Sequence, residues 1–205
     1  MEVNWIPPQP RGGLKGAWDR FAGPGMTRAE FYLCWAVALA AGIALPVAAL
    51  AAGLGWGAGR LVIAGLIALD MAGGVVTNAT SPAKRWYHRE GQGFSKQFLF
   101  VAVHAFQLFL VAWLFGAMDW EYFGVVYGYL LVSALAVLLV PLYLKRPVAL
   151  AAMAGAILVN WYAVTPPGGF EWFAPVLILK LLVSHLLPEA PFPPPGQAGT
   201  QDTAS

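Results

Sequence analysis

The chain has 205 residues, of which 59% are hydrophobic, 14% aromatic and only 11% charged. Soluble domains average roughly 25% charged residues, so this chain lacks the polar groups to clothe a water-facing surface, and its mean hydropathy of +0.65 agrees. That composition argues against a soluble enzyme, a disordered protein and a nucleic-acid-binding domain. The net charge of +2 decides little. A single cysteine, Cys34, excludes an internal disulfide and a multi-cysteine metal site.

Residues 1–28 are polar and rich in Pro and Gly, which predicts an extended cytoplasmic arm. Within it Leu14–Phe21 suits a short interfacial helix, with Trp18 and Phe21 on headgroups beside Lys15 and Arg20. Thr27 and Glu30 have the spacing of a capping box, so a helix is expected to start there. Six apolar spans follow, at about 29–53, 58–80, 95–117, 120–143, 147–164 and 170–187. Crossing the hydrocarbon core takes about 20 residues of helix. The expected fold class is therefore all-α, a polytopic membrane protein built as one six-helix bundle. The tail 188–205, with Pro191, Pro193, Pro194 and Pro195, is expected to be disordered.

Orientation follows from the cations. Arg11, Lys15, Arg20 and Arg28 lie in the arm, Lys84, Arg85, Arg89 and Lys96 between spans two and three, and Lys145 and Arg146 between spans four and five. With six spans all of these share one side, and only Arg60 falls on the other. Both termini are then cytoplasmic, in a plasma membrane. Trp56, Trp113, Trp120, Trp161 and Trp172 mark the outer interface; Trp86, Tyr87 and Tyr143 mark the inner one.

Three ionisable residues fall near mid-membrane: Asp70 in span two, His104 in span three and Lys180 in span six. Buried charge is costly there and is by default read as functional. Gly74, Thr77 and Asn78 share a helical face with Asp70, a small and polar stripe that should face the bundle. Similar depth makes Asp70 and Lys180 partners, and Asp70, His104 and Lys180 together form the candidate catalytic centre. The competing reading is a buried ion pair that fixes helix register. His185 is expected to project away from Lys180, towards headgroups.

The stretch Lys84–Arg89 joins cations, His88 and two aromatics at the inner surface. Its plainer role is an anchor on anionic headgroups across loop 81–96. The sharper one is a phosphate-binding lip formed by Asn78, Lys84, Arg85, His88 and Arg89. No metal-binding spacing, nucleotide loop or serine-nucleophile motif is present, so no metal or other cofactor is expected. Gly124 and Gly128 have the GxxxG spacing, which allows close helix approach within the bundle or between protomers. Three functions compete: a protein that handles a lipid-like or small polar substrate from the cytoplasmic side, a proton-linked transporter using the same groups, and a non-catalytic accessory protein.

Overall fold

Thr27 starts the first long helix for a local reason. Its hydroxyl accepts from the Glu30 N–H while the Glu30 carboxylate accepts from the Thr27 N–H, which closes the expected capping box. The computed structural model describes residues 3–192, and every regular element among them is helical. A short α1 (Gly13–Ala22) precedes α2 (Arg28–Ala51) and α3 (Ala58–Ala79). Then come α4 (Ser81–Tyr87), α5 (Phe94–Ala102), α6 (Ala105–Leu114), α7 (Trp120–Leu139) and α8 (Leu142–Tyr162). The last element, α9 (Phe173–Ile178), continues as a π-helix over Leu179–His185. Five helical segments are long and apolar enough to cross a membrane: α2, α3, α5 with α6, α7 and α8.

Several boundaries differ from the sequence expectation. Loop 81–96 begins with α4, because the Thr80 hydroxyl caps Ala83 and Pro82 sits in the first turn, where no intrahelical N–H is needed. Span three is broken at Val103–His104. The His104 N–H turns to the Val101 carbonyl, and its ring Nδ1–H takes over the Phe100 carbonyl at 2.7 Å. Pro141 is not inside span four; it is the residue before α8, so Lys145 and Arg146 lie within that helix and not in a loop. The sixth apolar stretch forms a helix of Phe173–His185, shorter than the five others. Of the tail, residues 188–192 are described, and Glu189 pairs with Arg146 at 3.0 Å; residues 193–205, like 1–2, lie outside the described residues.

Burial explains how a short helix can occupy the middle of the bundle. Phe173, Leu177, Ile178, Leu181, Leu182 and Leu186 are all sealed from solvent, and α3, α7 and α8 pack around them. The chain's turns gather at two ends. At one end Lys84 reaches the Ser184 and Leu187 carbonyls, Trp86 and Tyr87 bond the Arg20 and Phe21 carbonyls, and Ser81 meets the Phe192 carbonyl. At the other, Trp56, Phe115 and Phe170 form an aromatic cluster with centroids 4.5–5.6 Å apart. Asn160 donates there to the Glu171 carbonyl. α9 and its continuation run between these two ends. A Cβ at Gly124 or Gly128 would meet open space among the described residues.

Candidate functional site

α2 packs along α3, whereas α5 and α6 pack on α7. A half-open cavity of about 290 Å³ lies in the cleft this leaves beside α3. α3 supplies Asp70, Gly73, Gly74, Thr77 and Asn78, the face expected from their spacing. Phe100, His104 and Gln107 enter from α5, α6 and the break between them, and Lys180 from the central helix. Cys34, Trp35 and Ala38 of α2 form the opposite wall, and Trp18, Phe21 and Tyr87 line the basic end.

At the base of the cavity the Lys180 ammonium donates to Asp70 Oδ2 at 2.9 Å, and Gln107 Nε2 donates to the same oxygen at 3.3 Å. Asp70 Oδ1 has no hydrogen-bond partner among the described residues. The pair is uneven: the Lys180 side chain is 4% exposed and that of Asp70 is 36%. Lys180 gets so close because residue 74 is glycine. A Cβ there would stand 2.4 Å from Lys180 Cε. His104 lines the same cavity. Since a carbonyl only accepts, its bond to Phe100 places the ring proton on Nδ1, and in the neutral ring Nε2 keeps a lone pair. Asp70, His104 and Lys180 thus line one cavity, where a carboxylate, an ammonium and an imidazole can hold or exchange a proton with a bound molecule.

The polar residues of loop 81–96 are placed differently from one another. Lys84 is 2% exposed. Its ammonium caps the last helix, donating to the Ser184 carbonyl at 2.6 Å and the Leu187 carbonyl at 2.8 Å. Burial pulls its pKa down to about 8, opposed by nearby Glu189 and assisted by Arg146. His88 donates from Nε2 to the His185 carbonyl at 2.9 Å. Its pKa falls to about 4, first because it is buried; the His185 carbonyl opposes the shift, and Lys84 and Lys145 add to it. Arg89 lies over the Trp86 ring, 3.6 Å from its centroid, and bonds the Trp86 carbonyl. Arg85 is partly buried, and burial lowers its pKa. None of these four residues lines the cavity; of the expected phosphate-binding lip only Asn78, in α3, does so.

His185 corrects an expectation. It does not meet headgroups: it is 2% exposed and stacks on Phe100 with centroids 3.7 Å apart. In an α-helix the residue five places on stands about 140° round the axis. The wider i→i+5 turn, seen in the bond from the Leu186 N–H to the Leu181 carbonyl at 3.0 Å, brings His185 back towards the Lys180 side. Spacing alone also missed the aromatic wall. Trp18 stacks on Trp35, 5.7 Å between centroids, which lays α1 against α2. An apolar α2 with no distinct polar face carries no mark of which side meets the cavity. Among the described residues no group of three or more His, Cys, Asp or Glu could hold a metal ion.

Fold and site together define a helical, multi-pass membrane protein with a half-open, mostly apolar cavity that has an ion pair at its base. Compared with known protein families, curated proteins and solved structures, the chain matches none.

Proposed function

We propose that this is a six-span membrane protein, with both termini on the cytoplasmic side, that takes an amphipathic, lipid-like molecule into the cavity beside α3. The polar head meets Asp70, Lys180, His104 and Gln107, and the apolar remainder lies along Trp35, Ala38 and Leu69. One observation carries the reading: an ion pair and a histidine form the base of a half-open cavity whose walls are mostly apolar and aromatic. Buried polar groups with few convergent partners inside an apolar recess are the usual make-up of a small-molecule site. Within it His104 Nε2 and Asp70 Oδ1 are the proton acceptors, and the Lys180 ammonium donates to the other Asp70 oxygen.

The six-span topology rests on the two ends of the bundle. The arm, α4, Arg146 and Glu189 meet at one end, together with nearly all of the cations. Positive charge marks the cytoplasmic side. A proton-linked carrier needs access from both sides in turn. The aromatic cluster of Trp56, Phe115, Phe170 and Phe173 fills the opposite end, which favours a site served from the cytoplasmic side or the bilayer.

The test is binding of a long-chain amphiphile, monoacylglycerol, to the full chain in phosphatidylcholine nanodiscs, read by native mass spectrometry. Wild type should retain it, and the paired variant Asp70→Asn/Lys180→Met should lose at least about tenfold in affinity. Equal retention by a folded paired variant would leave the ion pair a purely structural feature.

A further inference from the structure

The charges inside the cavity cancel, and this bears on what the cavity holds. We propose, resting on the cavity reading above, that the head it accepts is uncharged and hydroxyl-bearing, as in a monoacylglycerol, and is neither a phosphate, a carboxylate nor an amine. The ammonium of Lys180 is spent on Asp70, and it is the one Lys or Arg among the described residues that line the cavity; Lys84 is spent on the carbonyls of the last helix and Arg89 on Trp86. An anion arriving in the cavity meets the more exposed partner of the pair, which is the carboxylate. A cation arriving at that carboxylate meets the Lys180 ammonium already 2.9 Å from Oδ2. Either charge would shed its water beside a pair of zero net charge, a cost that nothing else in the cavity offsets.

The unpartnered polar atoms point the same way. Asn78 and Gln107 line the cavity, and the buried Asn78 Nδ2, a donor, and Gln107 Oε1, an acceptor, have no hydrogen-bond partner among the described residues. Asp70 Oδ1 and His104 Nε2 add two further acceptors. A phosphate or carboxylate only accepts and an ammonium only donates. Hydroxyl groups do both, so a head with two of them can satisfy Asn78 together with Gln107 or Asp70. Size is consistent with a head and not a whole lipid. The cavity of about 290 Å³ is half-open, so a head can sit within it while an attached chain lies outside. The remaining chain must run out through the cleft between α2 and α5 into the membrane.

The experiment compares four probes of one chain length: a monoacylglycerol, a fatty acid, an alkyl phosphate and an alkylamine. Each competes for the full-length protein in phosphatidylcholine nanodiscs, read by native mass spectrometry. The monoacylglycerol should bind at least about tenfold tighter than any charged probe. Gln107→Leu, which leaves the ion pair in place, should weaken it several-fold while sparing the fold. Asp70→Asn, which leaves the Lys180 ammonium without its counter-charge, should invert the order and favour the fatty acid or phosphate. A charged probe that binds wild type as well as the monoacylglycerol overturns the inference and leaves the cavity reading standing. Failure of all four to bind overturns both.

Discussion

Asp70 and Lys180 do not depend on each other equally. Lys180 is enclosed, and Asp70 reaches the cavity. Removing the carboxylate strands a buried ammonium, a change that costs about 3 kcal/mol. Removing the ammonium leaves a carboxylate with access to the cavity and should cost about 1 kcal/mol. Thermal unfolding in detergent should therefore rank Asp70→Asn as more damaging than Lys180→Met, and the double variant should recover most of the difference. Additive losses would show that the two residues act independently. His88 supplies a pH test. Its pKa is about 4 in the fold against an ordinary 6.5. The unfolded ring takes up a proton that the folded ring refuses, so stability should fall as pH drops from 6.5 towards 4 and be insensitive to this group above that window. His88→Gln, whose amide can still donate to the His185 carbonyl, should make the fall shallower by this ring's share.

The same logic, one level up, explains what Lys84 does for the last helix. A helix ends with unsatisfied carbonyls, and here one buried ammonium meets two of them. Lys84→Met should cost about 2 kcal/mol by orphaning both. Since the folded pKa is about 8 and the ordinary value 10.5, the unfolded chain holds more protons between these limits, and stability should rise with pH across that window. The variant should lack that rise in the same unfolding assay. The packing of α2 on α3 rests on small residues: a Cβ at Gly65 would stand 2.8 Å from the Gly42 carbonyl oxygen. Gly65→Ala should push the helices apart, costing about 1–3 kcal/mol and widening the cavity mouth. The start of α2 was legible in Thr27 and Glu30 because a cap is a local code. The break at His104 and the π-turn at Leu179–His185 were not, because both turn on which carbonyl a given N–H chooses, and apolar periodicity does not record that choice. α4 had a readable start in Thr80 and Pro82, but its cations suggested a loop.

At the scale of the whole molecule, length and hydropathy were sufficient for a helical membrane bundle, and five of the apolar stretches form helices long enough to cross. The sixth was legible as an apolar stretch but not as a short central helix, since its burial depends on the neighbours that enclose it. The shared depth of Asp70 and Lys180 was legible in the sequence; their 2.9 Å separation required the tertiary fold. The aromatic wall from α1 and α2 required it as well. The proposed six crossings would place a reporter fused after residue 192 on the same side as one at the amino terminus, and a reporter inserted in loop 163–169 on the opposite side. Accessibility labelling in intact cells reads this directly; a C-terminal reporter on the same side as loop 163–169 would refute the topology. Wild type and Asp70→Asn/Lys180→Met, both shown folded, should be compared for retained monoacylglycerol by native mass spectrometry in nanodiscs. Retention by wild type and its loss in the variant is the predicted result. Equal retention, or none in wild type, would contradict the claim that this ion pair lies at the base of a binding site.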